Sequence, residues 1–276
     1  MALAAFLSLS LLPILGSNSN RRASSTPNTS SAADPAAIQT ELEAQARGYE
    51  LVLEREPDNQ TALQGLVDAR IQLGDINGVV GPLEKLVELN PDVSDYAVLL
   101  AQTKQQMGDL EGSAQIYRQV LDQQPGNMNA LQGLTVLLVQ QERPQAAIGL
   151  LQDTLKTADQ LQSDGTATDV DMTSVKLLLA QVHVEANQLD QAIALYDETI
   201  AATPEDFRPV LAKALVLQEQ GDTDTAQALF SQATALAPAQ FKDQIELMAT
   251  QTQAVPETSG GNNIEPSAPT VEESPE

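Results

Sequence analysis

The chain has a single histidine, His183, and no cysteine. Without thiols there is no disulfide, no thiolate metal site and no cysteine nucleophile. One imidazole alone builds neither a dyad with a second imidazole nor a typical zinc site. Carboxylates are plentiful, but their spacing does not organise them for catalysis. Glu41 with Glu43, and Glu54 with Glu56, sit where a solvated helix face is expected. Asp164, Asp169 and Asp171 fall in "QLQSDGTATDVD", which lacks the alternating Asp/Asn ligands, the well-placed Gly and the closing Glu of a calcium loop. No G-x-G-x-x-G, Walker loop or G-x-S-x-G occurs. No enzyme activity, cofactor, metal or small-molecule substrate is therefore expected.

Composition points to helices instead. Of 276 residues 42% are apolar but only 3% aromatic, with no Trp, so a core must be built from Leu, Ala, Val and Ile. Fourteen Lys and Arg face 38 Asp and Glu, a net charge of −24. With no basic stripe to neutralise phosphates, a nucleic-acid partner is not expected. Four zones separate by composition. Met1–Gly16 is apolar, and Ser17–Ala37 is Ser/Asn/Pro-rich and reads as a flexible linker. Ile38–Gln251 carries helical patterning throughout. Residues 252–276 hold Pro, Gly, Ser and Glu with almost no bulky apolar residue, the composition of a disordered acidic tail.

The body repeats itself. Pro57, Pro91 and Pro125 are evenly spaced, Pro204 and Pro238 stand at the same interval, and Pro125 to Pro204 is two such intervals with a short excess. Gly74-Asp75, Gly108-Asp109 and Gly221-Asp222 each fall half an interval before one of those prolines, and "ALQGL" recurs at Ala62–Leu66 and Ala130–Leu134, two intervals apart. A period of about 34 residues with a mid-repeat Gly and a terminal Pro resembles the tetratricopeptide repeat, a pair of helices A and B. Repeats starting at Gln60, Ser94, Met128, Thr173 and Phe207 fit its pattern. The last fits best, with Ala214, Leu217, Gly221, Ala226, Phe230, Ala233 and Pro238 in register. A half-repeat ending at Pro57 places Tyr49 at the aromatic position of a lone helix B, and "FKDQIELMATQ" reads as a cap with Phe241, Ile245 and Met248 on one face. The resemblance implies an all-α, right-handed superhelical solenoid of five full repeats, an N-terminal half-repeat and a C-terminal capping helix.

Departures from the pattern carry expectations of their own. Eleven extra residues separate the third and fourth repeats, and the insertion, residues 160–171, reads as a protruding acidic loop. Pro82 lies inside a helix B, which should begin late or kink. Pro144 falls in a first turn, where it starts a helix. His183 occupies repeat position 11, where the family packs a Tyr between helices, and is expected to fill core.

In this family the concave groove is lined by positions 2, 5, 9, 12 and 13 of helix A. The first repeat places Thr61, Gln64, Asp68, Ile71 and Gln72 there, and the second Asp95, Val98, Gln102, Gln105 and Gln106. The third places Asn129, Gln132, Val136, Val139 and Gln140, and the fourth Ser174, Leu177, Gln181, Val184 and Glu185. The fifth adds Arg208, Leu211, Leu215, Gln218 and Glu219. Family members that clamp a C-terminal carboxylate use Lys, Arg and Asn at such positions. Here only Arg208 and Asn129 are of those types, two repeats apart, which disfavours that ligand. Gln donates and accepts, so a row of Gln suits the backbone of an extended protein segment or helix, with Val and Leu as apolar pockets. The same row is also what a soluble helix face would carry with no ligand at all.

Sixteen helical residues at the N-terminus would span about 24 Å, short of a hydrocarbon core of about 30 Å. Arg21 and Arg22 follow the apolar stretch rather than precede it, which favours keeping the repeats on the cytoplasmic side of a membrane. Three readings stand: a transmembrane anchor whose first part is missing, a cleaved secretory signal ending near Gly16, Ser17 and Ser19, and an interfacial anchor. "LEAQARGYELVLEREPDN", the insertion and Phe207–Ile245 are similar to membrane-anchored tetratricopeptide proteins of cyanobacteria related to the plastid Slow Green family. That resemblance implies a role in thylakoid or chloroplast biogenesis through protein contacts. The expected function is a membrane-tethered, non-catalytic scaffold; an exported envelope adaptor and a subunit of an enzyme complex are the other two readings.

Overall fold

A computed structural model describes residues 35–251, so Met1–Gly16, residues 17–34 and the tail 252–276 lie outside the described residues. Twelve helices occupy that span, with no strand among the described residues. They are α1 (Pro35–Leu53), α2 (Gln60–Leu73), α3 (Ile76–Leu89), α4 (Ser94–Gln106), α5 (Leu110–Gln123), α6 (Met128–Gln140), α7 (Pro144–Ser163), α8 (Met172–Glu185), α9 (Leu189–Ala202), α10 (Phe207–Glu219), α11 (Thr223–Leu236) and α12 (Ala239–Gln251). The pairs α2/α3, α4/α5, α6/α7, α8/α9 and α10/α11 are the five repeats, α1 is the half-repeat and α12 the cap. The first helix begins at Pro35, inside the stretch expected to be linker.

The Gly-Asp pairs explain themselves in the turns. Gly74, Gly108 and Gly221 have φ of 72°, 83° and 86°, the left-handed geometry that ends helix A at little cost only for Gly. The Asp that follows caps helix B: Asp75, Asp109 and Asp222 accept from the backbone N–H of Gly78, Gly112 and Thr225. In the third and fourth repeats Glu142 and Asn187, both at φ 58°, take the glycine's place.

Successive repeats are matched by side-chain size. Tyr49 on α1 lies across Gly65 on α2, and a Cβ there would fall 2.2 Å from the ring. The same holds two repeats further along, where a Cβ on Gly133 of α6 would fall 2.3 Å from the ring of Tyr117 on α5. The recurring "ALQGL" thus contains the hole for a recurring tyrosine. Tyr196 on α9 shares a core cluster with Ala212 on α10. Where the outer residue is a leucine, the inner one is too: Leu99 packs against the core cluster that holds Leu83, and Leu151 shares a cluster with Leu178. Burial pushes the Tyr117 phenol up to about 12, so it stays neutral at any physiological pH.

Three expectations need correction. Pro82 neither delays nor breaks α3, which runs unbroken from Ile76 to Leu89. A proline at 82 cannot donate to the carbonyl of Gly78, and the Arg70 guanidinium supplies that hydrogen bond instead while also pairing with Glu50. A Cβ on Gly78 would lie 2.1 Å from the capping Asp75 carboxylate and 2.9 Å from Arg70 Cδ, so the glycine makes room for the cap first and for the arginine beside it. The insertion, second, is not a free loop over 160–171. With no proline to stop it, α7 continues to Ser163, and the remaining residues turn back so that Val170 packs against the central core cluster and over Gly126. Asp171 then caps α8. Third, His183 is only half-buried, and its Nδ1 lies 2.7 Å from Gln188 Oε1; position 11 serves here as a tie to the next turn. Arg70 and Lys104 do the same with Asp75 and Asp109, at 3.8 and 3.7 Å.

The cap closes the C-terminal end. Phe241 stacks on Phe207 with ring centroids 5.5 Å apart, Ile245 is buried and Met248 packs beside it, while Asp243 and Glu246 face water.

The size matching can be tested by exchange. Gly133→Leu should overpack against Tyr117, and Tyr117→Leu should leave a void, each costing about 1–3 kcal/mol. The double variant recreates the Leu–Leu pairing of neighbouring repeats and should recover most of the loss in urea denaturation. Likewise, Arg70→Leu strands the Gly78 carbonyl and should cost about 1–3 kcal/mol. In a Pro82→Ala background, where the helix regains that N–H, the same change should cost about 1 kcal/mol less.

Candidate protein-binding groove

Helices α2, α4, α6, α8 and α10 form the inner layer. α4 meets α6, and α6 meets α8, across the array, whereas the outer helices of neighbouring repeats do not meet to a comparable extent. The residues expected to line the groove divide into three groups. Gln64, Asp68, Gln72, Gln102, Gln106 and Gln140 are exposed, as are Thr61, Ile71, Asp95 and Asn129 on the same first three inner helices and Glu219 at the end of α10. Gln105, Gln132, Val136, Gln181, Glu185, Arg208 and Gln218 are half-buried. Val98, Leu177, Leu211 and Leu215 are buried, Leu211 completely.

The buried group corrects the picture of apolar pockets. Val98 belongs to the central core cluster, Leu177 to the cluster shared by α8 and α10, and Leu211 and Leu215 to the C-terminal cluster beneath the cap. These side chains fill the spaces between helices and present no wall to a ligand. Apolar surface on the inner face comes from Ile71, which is exposed, and from half-buried Val136, Val139 and Val184. The open groove is therefore polar and concentrated in the first three repeats.

Hydrogen bonds link the inner helices one repeat apart. Gln64 Nε2 donates to the Tyr96 hydroxyl, and Gln105 Nε2 donates to Gln140 Oε1 at 3.1 Å. Asn127 Nδ2 donates to Ser94 Oγ at 3.0 Å, and Arg208 Nη1 donates to Ser174 Oγ at 3.0 Å. Arg208 is not a free cation. Its Nε donates to both carboxylate oxygens of Asp206 at 3.0 Å, and its Nη2 lies 2.7 Å from Oδ2. The hydrogen bond to Asp206 raises the guanidinium above its ordinary pKa, a mark of structural use rather than readiness for a carboxylate ligand. Gln181 is occupied within its own helix, donating to Glu185 at 3.3 Å. By contrast Gln72, Gln102, Gln106 and Gln132 make no side-chain hydrogen bond to any described residue.

Sequence reasoning missed Tyr96 as a groove residue, because it lies at position 3 and its hydroxyl reaches the groove only through Gln64. It also missed the position 11 ties of Arg70 and Lys104. Each pairs with an acid at the same separation earlier in the chain, Glu50 and Glu84, and that shared spacing was a signal available from sequence.

Comparison with known proteins agrees with this architecture. Two models described as tetratricopeptide repeat match residues 104–165 and 177–240. The crystal structure of yeast Tom70 is similar at 13% identity and a TM-score of 0.54, over 75% of this chain; the chain spans 42% of Tom70. A thermophilic TPR protein of Thermus thermophilus, TTC0263, is similar at 16% identity and a TM-score of 0.47, over 70% of this chain and 98% of that one. No curated protein sequence matches closely enough to count as a relative. The chain carries tetratricopeptide repeats, and its described residues form an all-α tetratricopeptide-repeat solenoid, a scaffold suited to protein–protein interaction.

Proposed function

We propose that this chain is a non-catalytic scaffold that holds a segment of a partner protein along its inner helices while tethered to a membrane through Met1–Gly16, with the repeats on the cytoplasmic side. The observation that carries the binding reading is the set of unengaged amides, Gln72, Gln102, Gln106 and Gln132, spread over three successive inner helices. Each offers a donor and an acceptor to a passing backbone. The tether rests on sequence: an apolar stretch followed by Arg21 and Arg22. It lies outside the described residues, and no described helix is long and apolar enough to cross a membrane. The resemblance to membrane-anchored cyanobacterial repeat proteins supports a role in assembly or biogenesis of a membrane complex, such as one of the thylakoid.

The division between core and groove is testable by stability. Leu211→Ala should cost about 2–5 kcal/mol, whereas Gln102→Ala should stay within about 0.5 kcal/mol. Similar denaturation midpoints for the two would return Leu211 to the groove. Topology is tested on membranes: protease added to intact cells or spheroplasts should leave the repeats uncut, and N-terminal sequencing should find Met1 or a residue upstream of it. A soluble, protease-accessible protein beginning near Ser17 would instead make the chain an exported adaptor.

A further inference from the structure

Charge is sorted between the two layers. Every cation on an inner helix other than Arg208 is turned to an acid on an outer helix: Arg70 to Glu50, Lys104 to Glu84, Lys176 to Glu198 and Lys213 to Asp197. Arg208 is held by Asp206. The groove keeps its acids without cations. Asp68 on α2 and Asp95 on α4 are exposed and make no ion pair or side-chain hydrogen bond with any described residue. Ile71 and Gln72 stand one helical turn beyond Asp68 on α2, and Gln102 and Gln106 stand about two and three turns beyond Asp95 on α4, all of them exposed.

We propose that the first two repeats of the groove bind an extended segment of a partner protein that carries Lys or Arg between uncharged residues. This rests on the groove reading above and adds the partner's chemistry. The unengaged amides hold the backbone, Asp68 and Asp95 receive the cations, and Ile71 takes an aliphatic side chain. Charge complementarity selects against other occupants. An acidic segment would meet two uncompensated carboxylates with no cation to spare, and the chain's own residues 252–276 carry five Glu and no Lys or Arg. The same arrangement excludes a free C-terminal carboxylate as the anchor, because Arg208 is both spoken for and three repeats away.

The experiment applies the full-length protein to an array of random short peptides and measures affinities for the best binders by fluorescence anisotropy at physiological salt. The bound set should be enriched in Lys and Arg. Asp68→Asn combined with Asp95→Asn should weaken the best basic peptide about tenfold, as the loss of two exposed charge contacts implies, and flatten its salt dependence. Asp122→Asn combined with Asp153→Asn, on the outer helices α5 and α7, should leave it unchanged. Gln72→Ala combined with Gln102→Ala should weaken basic and neutral peptides alike. Equal weakening by the outer-helix pair would overturn the proposal, since net charge alone would then explain the preference. A bound set with no charge bias that still depends on Gln72 and Gln102 would overturn the proposal while leaving the groove reading intact. Absence of binding, or binding indifferent to both groove pairs, would overturn both.

Discussion

Neighbouring repeats are joined by a fit between the residue in the middle of each outer helix and the residue it covers on the next inner helix. Tyrosine lies over Gly65 and Gly133 and shares a core cluster with Ala212, and leucine shares one with Leu99 and with Leu178. No single helix pair here can bury its apolar face alone, so stability resides in these junctions as much as in the pairs themselves. Because interiors are close-packed, a mismatch at one junction changes the angle or spacing at which the next repeat sits. The insertion between the third and fourth repeats respects the rule. It lengthens α7 and then returns the chain, with Val170 seated on the core, so that Leu151 and Leu178 still share one core cluster.

Electrostatics follows the packing. An excess of acid leaves few cations, and those on the inner layer are spent fastening one helix to another, the cation half-buried and its acid partner exposed. Arg70 is the most heavily used, linking α1, α2 and α3 and completing the hydrogen bonding that Pro82 interrupts. What remains facing the groove is neutral amide and unpaired carboxylate. The polarity of the groove is thus partly a by-product of where the array needs its positive charge.

Much of the fold was legible in the sequence because its determinants are local. A proline closing each period, a Gly in a left-handed turn and an Asp cap act on their immediate neighbours, and their spacing passes straight into structure. The groove was less legible because position within a helix states a direction, not an exposure. Leu177, Leu211 and Leu215 point inward as the repeat numbering requires, yet neighbouring inner helices and the cap close over them. His183 escaped for a similar reason: a residue at a position that usually fills core can lean out to a turn when a partner such as Gln188 stands there. The Arg70, Gly78 and Pro82 arrangement involves two helices at once, and no single-helix pattern contains it.

The two ends of the solenoid are finished differently. At one, α12 contributes Ile245 and a stacked Phe241 and seals the last repeat. At the other, only Ala46 of α1 is buried, and Val52 is 39% exposed where its counterpart one repeat on, Leu86, is 1% exposed. In a one-dimensional array, opening starts where the fewest neighbours must be given up. Amide protons of α1 should therefore exchange with solvent ahead of those of the central repeats, and pulling on the N-terminus would unzip the protein from that side. A scaffold hung from its N-terminal segment would then meet tension with its most yielding helix first, leaving the C-terminal repeats folded under load.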